Sequence, residues 1–224
     1  MNLKNRIKDA AFKLGADLCG IASAESFSEA PEGFRPGDIY SKSRSVAVLA
    51  KRIPSENLFA ESTVPYTNIN NLVKNQMEAL TLKLSLAIQD MGIPNVMVPI
   101  DDPYEYWDAE RMRGIGLLSL RHAGYYAGLG YLGKNTLLIN PRYGSMITLG
   151  AILLGIEVEA DEIIDRKCPD GCNLCISNCP GQALNGITVD QKKCRAASAY
   201  ITGKGYFLYK CYQCRKVCPM SVIG

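Results

Sequence analysis

One histidine, His122, stands among 224 residues. Metal centres built on two or more imidazoles are therefore excluded. Long apolar runs are also missing, and none reaches the roughly 20 residues of a membrane-spanning helix. The opening MNLKNRIKDAAFKLGADLCGIA carries basic residues, but Asp9 and Asp17 interrupt any apolar signal core. It reads as an amphipathic helix, so no membrane association and a cytoplasmic location are expected. Cysteine is absent from residues 20–167. Cys19 stands alone and reads as a small buried hydrophobe. The other eight cysteines crowd between Cys168 and Cys218, and in a reducing compartment such crowding argues against disulfides. The formal charge of +3 is small, and no Arg- and Lys-rich stripe runs between aromatics. A nucleic-acid surface is not indicated.

The composition, 47% hydrophobic and 21% charged, is that of an ordinary globular chain. Its length allows one cored domain and a smaller module. Apolar spacing predicts a helix over residues 4–17, stopped by Gly15, then short strands at LCGIA and SVAVLAKRI. Residues 56–68 are polar and irregular. A long helix is expected from Asn70 to Met91, with Leu72, Met77, Leu80, Leu84 and Ile88 on its apolar face. NVMVPI reads as a strand, Leu117–Leu129 as a helix, and TLLINPRYGSMITLGAILL as two strands around a turn. The period of DDPYEYWDAERMRG is unclear; Tyr104, Tyr106 and Trp107 are candidates to cover a pocket. Strands alternating with helices predict an α/β core over residues 1–160, with a cysteine-rich module over 161–224.

The cysteines carry the strongest signal. Cys168, Cys172, Cys175 and Cys179 are spaced x3, x2, x3 and followed by Pro180; Cys194 stands between; Cys211, Cys214 and Cys218 are spaced x2, x3 and followed by Pro219. The bacterial ferredoxin signature is Cys-x2-Cys-x2-Cys-x3-Cys-Pro, and its fourth cysteine serves the other cluster. Here the first gap holds one extra residue, Asp170 or Gly171. Eight thiols are enough for two [4Fe–4S] clusters. By the crossed arrangement Cys168, Cys172, Cys175 and Cys218 would hold one cluster. Cys179, Cys194, Cys211 and Cys214 would hold the other. Two structural zincs are the alternative. Each oxidised cluster carries about 2−, so the formal +3 would fall to about −1.

The block before them, LRHAGYYAGLGYLGKNTLLINPRYGSMITLGAILL, is dense in glycine, which costs chain entropy and suits close backbone approach. Gly128, Gly130 and Gly133 fall in a Gly-x-Gly-x-x-Gly order. The strand–helix setting and the later acidic residue of a nicotinamide fingerprint are absent. AGLGYLGKNTLLINPRYGS, followed by an apolar run and eight cysteines, resembles the epoxyqueuosine reductase and reductive dehalogenase family. IKDAAFKLGADLCGIA and YSKSRSVAVLA extend the resemblance over nearly the whole chain.

The resemblance implies a modified nitroreductase-like core, of α/β (α+β) class, joined to a bacterial ferredoxin-like double-cluster module. It implies cobalamin beside the clusters, with FMN as the alternative because nitroreductase-like folds ordinarily hold it. Gly128, Gly130, Gly133, Lys134, Asn135, Thr136, Asn140, Gly144 and Ser145 would cradle the cofactor. The family's proton-donating Asp falls on Gly114 and its following Pro on Leu117, while its Arg matches Arg121. The nearby acids Asp101, Asp102, Asp108 and Glu110 are candidate substitutes through a shifted loop, and Tyr125, Tyr126 and Tyr143 are further candidate donors, although a phenol needs a cation to act as an acid at neutral pH. His122 reads as a surface residue. A helical repeat that helps the relatives hold tRNA is missing after Cys218, so tRNA is not the expected substrate. The expected function is electron transfer through two clusters to a cofactor that reduces a small molecule. Electrons would come from a donor such as a ferredoxin or flavodoxin, and Lys204 and Lys210 would suit an acidic one. The competing expectation is a non-catalytic electron-transfer or cofactor-reducing protein.

Overall fold

The computed structural model describes residues 2–221. In chain order the regular elements are α1 (Leu3–Lys13), β1 (Leu18–Ser23), α2 (Pro36–Ile39), β2 (Ser45–Arg52) and α3 (Thr63–Asp90). Next come β3 (Asn95–Val98), β4 (Tyr106–Asp108), β5 (Arg113–Ile115), α4 (Leu120–Tyr126), β6 (Tyr131–Leu132), β7 (Leu138–Ile139) and β8 (Ile147–Leu154). The remainder holds only short elements: α5 (Leu174–Ser177), α6 (Gln191–Ser198), β9 (Ala199–Ile201), β10 (Phe207–Tyr209) and α7 (Gln213–Lys216). No helix among the described residues is long and apolar enough to cross a membrane.

The main sheet runs β1-β2-β8-β3, and every neighbouring pair is antiparallel. The mixed fold is therefore of the α+β kind, despite the alternation of helices and strands along the chain. Side chains alternate across β2, so Ala47 and Leu49 enter one core while Val46, Val48 and Ala50 enter the other. The first core takes Ile7 and Ala11 of α1 and Met77, Leu80, Leu84 and Ile88 of α3. Cys19 lies in it, 6% exposed, as a buried hydrophobe. The second core takes Ala123 of α4 together with Leu129 and Leu138. Each fully buried Leu or Ile is worth about 1.5–3 kcal/mol, so these two layers hold the sheet between them.

Several elements differ from their expected bounds for local reasons. α3 begins at Thr63, not Asn70. The Ser62 side chain accepts from the Val64 N–H at 3.2 Å, and Pro65 sits in the first turn, where its missing N–H costs little. Leu72 is 48% exposed; its neighbour Val73 takes the core position. α4 is shorter than Leu117–Leu129, because its N-cap is Ser119 and Gly128 turns the chain at φ +69°. TLLIN does not join the main sheet: β7 pairs with β6 in a two-stranded ribbon. The stretch with no clear period folds as the β4–β5 hairpin.

The cysteine-rich segment is fastened to this core at several places. Asp161 accepts from the Ile21 N–H at 2.8 Å and pairs with Lys8 at 2.8 Å and Lys4 at 2.9 Å. On the far side the Tyr209 N–H donates to Thr67 Oγ1 at 3.0 Å, and Tyr212 packs on Tyr66 with ring centroids 4.3 Å apart.

Candidate redox site

The short helices bring the eight late cysteines into two groups. Cys168, Cys172, Cys175 and Cys218 line one cavity. Cys179, Cys194, Cys211 and Cys214 line another. This is the crossed grouping: the last cysteine of each run joins the other run's set. α5 and α7 carry Cys175 and Cys214, each inside a single turn that can aim its thiol inward. The extra residue in the first gap is absorbed by a turn in which the Cys172 N–H donates to the Pro169 carbonyl at 3.1 Å. Gly171 takes φ +71° there, a conformation open to glycine at the third position of a tight turn.

All nine cysteines are free thiols. Among the described residues no group of three or more His, Cys, Asp or Glu side chains is arranged around a single metal ion. Burial, followed by its neighbours Cys168 and Cys218, pushes the Cys175 thiol up. Burial likewise raises Cys194 and takes Cys214 to about 11. Thiols crowded in this way ionise readily only when a bound metal supplies compensating positive charge. Backbone donors already face the sulfurs: the Lys134 N–H lies 3.4 Å from Cys168 Sγ and the Ala183 N–H 3.3 Å from Cys179 Sγ. Tyr131 is 2% exposed, and its buried hydroxyl has no partner. Burial, then Cys168 and Cys218, pushes its phenol pKa up. Four thiols around one cavity, with a backbone N–H aimed at a sulfur, are the donor set that a cluster takes.

The glycine-rich block is used differently from the expected cradle. A side chain at Gly128 would collide with the Glu162 carbonyl, at Gly130 with the Ile139 carbonyl, and at Gly144 with the Met220 carbonyl. At Gly133 it would strike Ile139. These glycines let the chain pack on itself. Asn140 also works internally, donating to the Leu129 carbonyl at 2.5 Å and accepting from the Arg142 and Tyr143 N–H groups. Lys134 belongs to the first thiol set, where its Nζ donates to the Cys172 carbonyl at 2.8 Å and Asn173 Oδ1 at 3.0 Å. Asn135 lines both thiol cavities and donates to the Cys214 carbonyl at 3.2 Å.

Asn135, Thr136 and Ser145 are the members of the block that border the larger cavities, Thr136 most widely. With Leu137 and Gln191 it lines three adjoining cavities that form one cleft. The cleft runs from Phe27 and Tyr126 to Cys179, Cys194, Cys211 and Cys214. Its outer part alone has a volume of about 660 Å³, within the roughly 300–1,000 Å³ of a typical small-ligand pocket. Thr136 holds φ +63°, a strained conformation for a β-branched residue. Its carbonyl accepts from Arg121 at 2.7 Å. Burial, and then Arg113, lowers the Arg121 pKa.

The candidate donors separate. Tyr126 lines the cleft and meets Phe27 edge-on at 4.9 Å. Tyr125 packs beside Tyr126 in the second core, and the Tyr143 ring lies under Arg142; neither lines the cleft. Ser145 lines the cleft, with its hydroxyl 2.6 Å from that of Ser221. His122 is at the outer end, with Nδ1 2.7 Å from Ser119 Oγ. Gly114 also lines the cleft, under Tyr104: a Cβ there would lie 2.8 Å from the phenol carbon Cζ. A side chain at that position would require the Tyr104 ring to move.

Two residues missed in the sequence complete the cleft. Lys74 on α3 donates to Asp101 at 2.5 Å and to the Tyr209 hydroxyl at 3.1 Å. Burial works to lower the Lys74 pKa, but its bonds to Asp101 and Tyr209 outweigh that and raise it. A charged ammonium therefore faces a phenol beside the second thiol set.

No protein-family model matches the chain. An epoxyqueuosine reductase from Staphylococcus aureus (strain NCTC 8325 / PS 47) is 26% identical over 98% of the chain and 64% of its own length. An epoxyqueuosine reductase solved with an epoxyqueuosine-modified tRNA-Tyr stem loop superposes with a TM-score of 0.66 at 20% identity, over 98% of this chain and 65% of that one. A reductive dehalogenase whose structure suggests a mechanism for B12-dependent dehalogenation gives 0.68 at 18%, over 97% of this chain and 31% of that one. The chain thus spans just under two thirds of the length of these two epoxyqueuosine reductases. It resembles them in sequence from end to end and shares a mixed α/β fold with them and with the reductive dehalogenase.

Proposed function

We propose that the protein is an iron–sulfur oxidoreductase: its two thiol sets each hold a [4Fe–4S] cluster, and its cleft holds a corrinoid. Residues 161–224 form a ferredoxin-like module, and residues 1–160 provide most of the cofactor and substrate side. The observation that carries this reading is the crossed division of eight cysteines into two sets, one of which lines the end of the cleft. The clusters supply one-electron steps, and the corrinoid supplies the reducing centre that meets the substrate.

The chain's own residues have separate tasks. Asn135 sits between the two thiol sets and fixes their spacing through the Cys214 carbonyl. Arg121 holds the strained Thr136 carbonyl at the centre of the cleft. Tyr209 holds the proton that the reduced substrate needs, with the Lys74 ammonium donating to its oxygen at 3.1 Å. This pair takes the place of a carboxylic acid at Gly114. An acidic ferredoxin or flavodoxin would deliver electrons near Lys204 and Lys210, and the substrate is a small molecule that fits beside the corrinoid.

A second reading, electron transfer without catalysis, draws on Gly114, which puts no acidic side chain at that place in the cleft. Cobalamin titration separates the two. Under reducing conditions cobalamin is expected to bind saturably, with a changed cobalt EPR signal. No change at about 100 μM cobalamin, with intact clusters, contradicts the corrinoid; FMN released on denaturation would replace it with a flavin.

A further inference from the structure

The middle of the cleft is crowded with positive charge, most of it without a carboxylate partner. Lys74, Arg121, Arg195 and Arg215 line it, against the single carboxylate of Asp101. Asp101 is already engaged by Lys74 at 2.5 Å. Among the described residues none of the three arginines has a carboxylate within 4.0 Å. Arg121 and Arg215 are held by carbonyls, of Thr136 and Ser145. Arg195 is held differently. Its guanidinium lies 5.4 Å from the centre of the Trp107 ring, which stacks on Tyr104 at 5.9 Å and 26°. Its Nε is buried and has no hydrogen-bond partner. Stacking fixes the plane of a guanidinium while leaving its edge of N–H donors free, the arrangement that receives a carboxylate or phosphate two bonds at a time. A buried, unpaired donor costs about 1–3 kcal/mol, a cost that a bound acceptor removes.

We propose that Arg195, with Arg121 across the same cavity, forms an oxyanion-binding site that holds the carboxylate or phosphate of a small-molecule ligand. Trp107 and Tyr104 position the Arg195 fork. Calling that ligand the substrate rests on the reductase reading, but the oxyanion site itself does not. The same chemistry has a second source, the phosphate in the nucleotide tail of a complete corrinoid.

The test uses cluster-loaded protein and two probes, benzoate and inorganic phosphate, with benzamide as the uncharged control. Binding is followed by calorimetry and by the fluorescence of Trp107, the single tryptophan of the chain. At least one oxyanion is expected to bind saturably, and benzamide is expected not to bind. Arg195→Met should weaken the oxyanion at least tenfold. Arg195→Lys, which keeps the charge but loses the fork, should fall between. Arg142→Met, at an exposed arginine, should bind as the unaltered protein does. Comparing cobalamin with cobinamide, which lacks the nucleotide tail, identifies the source. Loss of cobalamin binding alone in Arg195→Met assigns the site to the tail phosphate. Unchanged binding of both corrinoids assigns it to the substrate. If neither oxyanion binds to protein with full iron content, and Arg195→Met alters only cluster content or potential, the arginine merely offsets cluster charge and the proposal fails. Because the probes need no corrinoid, that result leaves the reductase reading standing.

Discussion

Replacing Cys218 by serine is expected to halve the iron content, and the cluster lost should be the one built on Cys168, Cys172 and Cys175. Cys218 lies in the second cysteine run, yet it lines the cavity of the first set. Its partner experiment is Cys179→Ser, which should remove the cluster of Cys194, Cys211 and Cys214. Four variants give the full comparison. Cys218→Ser and Cys168→Ser should leave the same reduced EPR spectrum, and Cys179→Ser and Cys211→Ser should share the other. Each should retain about four of about eight irons, because a cluster missing one thiolate is poorly held while the other keeps its four ligands. Sequential pairing would instead make Cys218→Ser resemble Cys211→Ser. That outcome would reject the crossed arrangement without rejecting the clusters.

Tyr209→Phe is expected to lower substrate reduction by about 10²–10⁴-fold, the usual worth of a positioned proton donor. Lys74→Met should do the same by a different route: the phenol remains, but the cation that bonds to its oxygen and orients it is gone. Neither change touches a thiol, so iron content and the rate of corrinoid reduction should be unchanged. An aryl bromide and an epoxide serve as probe substrates, since the two kinds of relative are a dehalogenase and an epoxyqueuosine reductase. Equal turnover by Tyr209→Phe and the unaltered protein would remove the pair from the proposed mechanism. Turnover should also survive Tyr125→Phe and Tyr143→Phe, whose rings lie away from the cleft.

The parts legible in the sequence were those with short-range rules. Cysteine spacing exposed the two sets, and apolar period gave β1, β2, most of α3 and β8. The start of α3 was hidden because residues 56–68 look polar, while Ser62 supplies a cap and Pro65 is harmless in a first turn. The antiparallel order of the sheet is a long-range outcome that helix–strand alternation does not encode. Glycine density correctly signalled close approach but not what approaches: at Gly128, Gly130 and Gly144 it is the protein's own backbone. Lys74 and Tyr209 carried no joint signal, being 135 residues apart and brought together only when β10 docks on α3. Arg195 was equally silent, because its character comes from the stack on Trp107 and not from its place beside Cys194.

Two [4Fe–4S] clusters on eight thiolates are the centre of this account, and metal content tests them most directly. Anaerobically purified protein, assayed for iron, acid-labile sulfide and zinc, is predicted to hold about eight irons and about eight sulfides per chain. Two zincs per chain, with no labile sulfide, would contradict it.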